Sequence, residues 1–242
     1  MKLLVENLSC SFRGQMVLEQ LNMEVGEREF VSILGPSGGG KSTLLNILAG
    51  VLKPDGGRVL VGGKEVKGLS THFAYMPQQD LLMPWKNIMD NVCLYGAIHR
   101  NKKAMKEQAV TNFEKFGLKG YESRYPKELS GGMRQRAAFL RTALCGADIL
   151  LLDEPFGALD VITRGNMQDW LRSMRSELNR TTILVTHDID EAVYLSDRIL
   201  LLTGHPASFQ KEISIPGGER NRKWLFDQTE LHREIYYYLK EA

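Results

Sequence analysis

The 242-residue sequence predicts an α/β fold on a mixed sheet, opened by an antiparallel β region and interrupted by a helical insertion. Three observations predict it. Phe30-Val31-Ser32-Ile33-Leu34, Ile149-Leu150-Leu151-Leu152 and Ile183-Leu184-Val185 are short, nearly continuous apolar runs, the pattern of strands buried on both faces. Helical patterns lie between them: Leu44, Leu48 and Leu52 share one face, and Met167, Trp170, Leu171, Met174 and Leu178 share another. Residues 3–25, and residues 58–66 with their Gly62-Gly63 turn, instead read as antiparallel strands and hairpins.

The remaining elements follow in order. Residues 73–76 read as a further strand. Residues 85–144 are rich in helix formers and poor in β-branched runs, with helices expected over 102–116 and 133–144. Residues 222–239 predict one last helix, with Trp224 and Tyr236, Tyr237 and Tyr238 as packing aromatics. The expected organisation is a single domain over 1–242. Residues 1–84 and 145–242 form its core and β subdomain, and 85–144 its helical subdomain.

A chain of this length can bury a full core without disulfides. Lys and Arg number 31 against 29 Asp and Glu, a net charge of +2 without long runs of one sign, so a dedicated nucleic-acid binder is not expected. Cys10, Cys93 and Cys145 are odd in number and widely spaced, as in proteins with reduced thiols. The start, Met1-Lys2-Leu3-Leu4-Val5-Glu6, acquires a carboxylate before a signal-peptide apolar region develops. No apolar run is long enough to cross a bilayer, so a membrane role requires a partner.

Each core strand ends at chemistry. Gly35-Pro36-Ser37-Gly38-Gly39-Gly40-Lys41-Ser42 satisfies G-x-x-x-x-G-K-[ST] between a strand pattern and a helical one. Its glycines let backbone N–H groups wrap phosphates, and the helix aims its positive end at them. Lys41 is expected to reach the β- and γ-phosphates and Ser42 to offer its hydroxyl to Mg²⁺. The fold is thus a P-loop NTPase core. Asp153 and Glu154 follow the second strand, where ligand sites of open α/β sheets gather. Asp153 fits the Mg²⁺-supporting carboxylate; neighbouring strand side chains point opposite ways, so Glu154 is expected to orient or deprotonate the attacking water. His187 ends the third strand and is placed to hydrogen-bond the γ-phosphate or that water. A second glycine-rich helix start, Leu129-Ser130-Gly131-Gly132, puts Ser130 at an N-cap and forms another anion site. One nucleotide fold with two such starts makes sense if the second serves a nucleotide on another subunit of a two-fold dimer.

Residues 35–43, Gln78, residues 129–135, residues 151–155, Ala158-Leu159-Asp160 and His187 together resemble the ATPase subunits of ATP-binding cassette (ABC) transporters. The resemblance runs over residues 3–203. It implies ATP and Mg²⁺ as ligands, with Ser37, Gly38, Gly39, Gly40 and Thr43 in the cradle beside Gly35, Lys41 and Ser42. It further implies Phe12 as the adenine-stacking aromatic, Gln78 as the γ-phosphate and Mg²⁺ sensor, and Asp160 as a cross-dimer contact. Ser130 and Gly132 would touch the opposite subunit's ATP. Phe12 stands where the family usually has Tyr, and Gly39 where related importers often carry Cys.

The segment Gln78-Gln79-Asp80-Leu81-Leu82-Met83-Pro84-Trp85 presents large apolar residues beside the sensor, either as a docking surface or as packing between subdomains. Together with residues 156–160 and 185–192 it is similar to ATPases of nitrate, sulfonate and taurine importers, and of pyrimidine-precursor importers. That similarity implies a homodimer on the cytoplasmic face of the membrane, a separate permease and, indirectly, a solute-binding protein. A cassette ATPase acting on DNA or ribosomes is the alternative from another class; a nucleotide kinase has no use for residues 129–132, and Glu154 and His187 argue against a regulator without turnover.

Overall fold

The computed structural model describes residues 1–240. Strands β1 (Leu3–Phe12) and β2 (Gln15–Val25) form an antiparallel pair, and β4 (Gly56–Val61) with β5 (Lys64–Glu65) complete a four-stranded sheet in the order β2-β1-β4-β5. The second sheet has six strands. It contains β3 (Phe30–Leu34), β6 (Phe73–Met76), β7 (Ile149–Asp153), β8 (Thr181–Thr186), β9 (Arg198–Thr203) and β10 (Ser208–Ser214), in the order β10-β9-β3-β8-β7-β6. All its neighbours pair in parallel except β10, which runs antiparallel to β9.

Strand alternation divides the core in two. In β7, Ile149 and Leu151 face one hydrophobic cluster and Leu150 and Leu152 the other. The first cluster also takes Leu44, Leu45 and Leu48 of α1 (Lys41–Leu48) and the inner face of the antiparallel sheet. On the opposite face lie α5 (Gly131–Ala143), α6 (Val161–Leu178) and α7 (Ile189–Leu195), through Leu140, Met167, Leu171 and Val193. Residues 88–143 between β6 and β7 are mostly helical: α2 (Ile88–Val92), α3 (Leu94–Ile98), α4 (Lys102–Lys115), a 3₁₀ turn at Pro126–Glu128, then α5. The three cysteines are free thiols.

Two expectations change. The tail forms two helices, α8 (Arg222–Phe226) and α9 (Thr229–Lys240). Asn221 starts the first by accepting the Trp224 N–H at 2.9 Å, and the chain turns at Asp227 and Gln228 before the second. Tyr236, Tyr237 and Tyr238 are exposed rather than packed, because α9 anchors through fully buried Ile235 with Leu231 and Leu239 beside it. The apolar segment after Gln78 divides as well. Leu82 is 7 % exposed and belongs to the core, whereas Leu81 and Trp85 are 58 % and 72 % exposed. Strands β9 and β10 were not anticipated, although Ile199-Leu200-Leu201-Leu202 carries the same apolar-run signal as the other core strands.

Truncating Leu82 to Ala is expected to destabilise the protein by about 2–5 kcal/mol, as for a buried leucine. Trp85→Ala is expected to leave the urea midpoint near that of wild type, since its ring lies in solvent.

Candidate active site

The ends of β3, β6, β7 and β8 bring four chemical segments to one edge of the sheet, outside the carboxyl ends of the strands. The loop after β3 begins at Gly35, where an added Cβ would lie 2.1 Å from the Leu202 carbonyl oxygen of β9. Only glycine fits there. Gly38 and Gly40 adopt φ of 80° and 81°, in the left-handed region that a side chain resists. Gly40 is the N-cap of α1, and no side chain caps that helix. The first-turn N–H groups at Lys41, Ser42 and Thr43 therefore point into an anion-binding cradle. Lys41 is 4 % exposed; its Nζ donates to the carbonyls of Gly35 (3.0 Å) and Pro36 (2.7 Å), and burial pulls its pKa down against the opposing pull of Glu154 and Asp153.

The acid pair divides its partners. Asp153 accepts from Ser42 Oγ at 3.1 Å and from Tyr75 Oη at 2.9 Å. Burial raises its pKa, opposed by these two hydrogen bonds. Tyr75, from β6, is likewise raised by burial and by the Asp153 charge. After Asp153 the backbone turns: Glu154 has φ of 43°, an uncommon conformation for a residue with a side chain. That turn carries the Glu154 carboxylate to three other groups. It lies 3.9 Å from Lys41 Nζ and 3.2 Å from His187 Nδ1, and accepts from Gln78 Nε2 at 3.3 Å. Lys41, Gln78 and His187 thus converge on the Glu154 carboxylate, with the Ser42–Asp153 pair beside them.

A hard divalent cation fits these donors. Ser42 Oγ, Asp153 and the Gln78 side chain offer oxygens, the ligand type Mg²⁺ takes. Among the described residues no group of three or more His, Cys, Asp or Glu could hold a metal ion.

The other predicted residues lie apart. Ser130 is the N-cap of α5, accepting the Met133 N–H at 3.3 Å, and Gly132 packs so closely on α6 that a Cβ would lie 2.9 Å from Thr163 Cγ2. Asp160 caps α6 by accepting from Ile162 and Thr163 N–H groups. These three form their own group around the α5 and α6 starts, and none hydrogen-bonds to residues 35–43. Phe12 closes β1 with an exposed ring, and Val17 and Leu18 of the paired strand abut Gly40.

Sequence reasoning missed several residues that hold the site. Arg141 of α5 donates to the carbonyls of Asp80 (2.6 Å) and Leu81 (2.8 Å), and Arg134 pairs with Asp80 at 3.2 Å. Gln135 donates to the Pro155 carbonyl, just past the acid pair. Fully buried Asn91 binds the Met83 N–H and the carbonyls of Met83, Lys86 and Asn87. The polar residues of α5 on an otherwise apolar helix face were the available signal; their partners were not legible. A cleft of about 560 Å³ lies between Gln78, Leu81, Arg134 and Gly157.

A glycine cradle at a helix start, an acid pair and a histidine on successive parallel strands, and a second glycine-rich helix start define a nucleotide-hydrolysing P-loop cassette. The ABC transporter family matches residues 18–157, and the chain belongs to that family as one of its ATPases. It is 45 % identical over 218 residues to a formylaminopyrimidine import ATP-binding protein of Halalkalibacterium halodurans, covering 90 % of this chain and 85 % of that protein. It is 46 % identical over 205 residues to an aliphatic sulfonates import ATP-binding protein of Rhodococcus jostii, covering 85 % and 80 %. A solved dimeric ATP-binding cassette in a post-hydrolysis state with ADP and Pi matches with a TM-score of 0.74 and 27 % identity, over 89 % of this chain and 100 % of that one.

The glycines are expected to differ in tolerance. Gly35→Ala forces a Cβ onto the Leu202 carbonyl and is expected to lose both thermal stability and nucleotide binding. Gly39→Ala meets Pro36 alone, its carbonyl oxygen at 3.1 Å and its ring carbons at 3.5 and 3.7 Å, and is expected to keep a Kd close to that of wild type by equilibrium titration.

Proposed function

We propose that this chain binds and hydrolyses MgATP to power a solute importer, working as a pair of identical copies on a separate permease. The convergence of Lys41, Gln78 and His187 on Glu154 carries the reading, because it places a cation, a polar sensor and a proton-transfer partner around one carboxylate. In this reading the N–H groups of residues 37–43 and Lys41 hold the triphosphate, and Phe12 stacks on the adenine through its exposed face. Ser42, Asp153 and Gln78 are the residues that would hold Mg²⁺, whose charge neutralises the β- and γ-phosphate oxygens when bound. Glu154 orients the attacking water or takes its proton, and His187 hydrogen-bonds the γ-phosphate or that water.

Ser130, Gly132 and Asp160 form a second phosphate-facing group with no bond to the cradle of their own chain. That separation supports a two-fold arrangement in which each copy completes the other's site. The dimeric state of the matched cassette supports it too. Residues 1–84 and 145–242 act as the nucleotide-binding core and 85–144 as the moving helical part.

A permease would dock at the cleft lined by exposed Leu81 and over exposed Trp85, four residues further along the same segment. No described helix is long and apolar enough to cross a membrane; the likeness to import ATP-binding proteins supports a peripheral position at the cytoplasmic face. The relatives favour an aliphatic sulfonate or a formylaminopyrimidine-like precursor as the solute, and the resemblance of residues 78–85, 156–160 and 185–192 adds nitrate and taurine and a solute-binding protein that delivers the solute. The non-transport alternative on DNA or ribosomes has no support in these relatives.

Lys41→Ala is expected to abolish tight MgATP binding, measured by equilibrium titration. Glu154→Gln is expected to retain ATP, to accumulate as a nucleotide-bound dimer and to lose phosphate release by a factor on the order of 10² or more. Near-normal turnover in that variant would place the base elsewhere. Trp85→Ser is expected to keep ATP affinity and melting temperature while reducing recovery with the permease; undiminished recovery would remove Trp85 from the docking surface.

A further inference from the structure

Behind the histidine that faces Glu154 lies a buried carboxyl that the reading above leaves without a task. Glu191, in the first turn of α7, is 3 % exposed. Its Oε2 accepts from Thr186 Oγ1 at 2.7 Å, and the same hydroxyl accepts the Asp188 N–H at 3.0 Å. The residues on either side of His187 are therefore tied to one hydroxyl, and that hydroxyl to Glu191. The other oxygen, Oε1, accepts from Gln168 Nε2 at 3.1 Å. Gln168 presents its nitrogen there because its own Oε1 is taken by Arg222 at 2.9 Å.

A second arm runs parallel to the first. Asp188 accepts the Glu191 N–H at 3.1 Å and lies 3.5 Å from Arg164, which donates to the Leu159 carbonyl at 3.2 Å, one residue before Asp160. Gln168 and Arg164 both sit on α6, the helix that Asp160 caps.

We propose that Glu191 is a positioning residue for ATP hydrolysis: with Gln168 it locks the backbone around His187 to α6, so that the histidine and the Asp160 loop are set together. The inference rests on the roles given above to His187 and Asp160.

Packing alone gives no reason for a carboxyl here, because a buried carboxyl without a cation in contact is costly and an apolar side chain would fill the space. Burial lifts the Glu191 pKa to about 7. The groups facing it are Thr186 from β8, Gln168 and more distantly Arg164 from α6, and Asp188 from its own turn. Arg222 of α8 reaches Gln168 rather than Glu191, and His232 of α9 is engaged by Asp190 at 2.7 Å. When ionised, Glu191 accepts both of its bonds. When protonated, one oxygen becomes a donor and the Thr186 hydroxyl must re-aim. The lock therefore holds above about pH 7 and loosens as pH falls through that value, which gives turnover an acid limb.

The test uses the full chain and measures kcat and KM for ATP across that pH range in wild type, Glu191→Gln and the exchange Glu191→Gln with Gln168→Glu. The single variant sets two amides against each other and is expected to lower kcat on the order of 10-fold at pH 8, with KM near wild type and the acid limb gone. In the exchange, the amide at 191 donates to a carboxylate at 168 that Arg222 neutralises. Its carbonyl still accepts from Thr186. That pair is expected to recover kcat without regaining the acid limb. Imidazole NMR gives a readout independent of turnover: the His187 signals, identified by their loss in His187→Gln, are expected to move in the single variant and return in the exchange. Unmoved His187 signals, wild-type kcat, a persisting acid limb in Glu191→Gln or no recovery in the exchange would each overturn the lock. Absence of ATP turnover in wild type would instead reject the hydrolytic assignment, leaving the NMR comparison to decide the lock.

Discussion

Strands β3, β7 and β8 are covered by apolar side chains on both faces, so unpaired polar chemistry has no place along them and collects where they end. That constraint organises the molecule. Asp153 is the last residue of such a strand, Glu154 and His187 directly follow one, Lys41 lies one glycine-rich loop beyond another, and parallel pairing brings the strand ends to the same edge. The close pass of Gly35 beneath the Leu202 carbonyl belongs to the same constraint, because the cradle must leave a fully packed strand at once and turn into α1. Partial desolvation is the consequence: Lys41 and Asp153 are buried, their charged forms are disfavoured, and a bound polyphosphate with its cation would relieve both.

The two carboxylates differ through backbone geometry more than through distance along the chain. Asp153 keeps strand conformation and meets the hydroxyls of Ser42 and Tyr75, whereas the left-handed turn at Glu154 redirects the next side chain toward Lys41, Gln78 and His187. A side chain held in a left-handed backbone conformation persists only where its surroundings over-determine it. Here the Glu154 N–H donates to Val185 and its carbonyl accepts from Gly157, which holds the turn from both sides.

Helix α5 links the segment after Gln78 to the second glycine-rich start. Ser130 caps it, Arg134 and Arg141 hold the chain at Asp80 and Leu81, and Gln135 reaches the carbonyl after the acid pair. Movement of α5 is thereby tied through contiguous hydrogen bonds both to the loop after Gln78 and to the acid-pair loop. A physical linkage of this kind is what a two-state coupling between nucleotide and partner requires.

The α/β class, the buried strands, the glycine cradle, the acid pair, His187 and the N-cap at Ser130 are all legible in the amino-acid pattern. Each depends on local patterns: an apolar run, a fixed glycine spacing, or a cap followed by a helix period. Tertiary structure decided what those patterns leave open. Leu81, Leu82 and Trp85 look alike in sequence, yet only Leu82 enters the core, because the loop they share is stapled by Asn91 of the following helix and by Arg141 of distant α5. The tail tyrosines share the apolar character of packed aromatics and stand in solvent, because Leu231, Ile235 and Leu239 carry the face that docks. Tyr75, Glu191 and Gln168 gain their partners only when β6 lies beside β7 and α6 packs on α7. Such hydrogen bonds between residues far apart in the chain are set by strand order and helix packing, which no local spacing encodes.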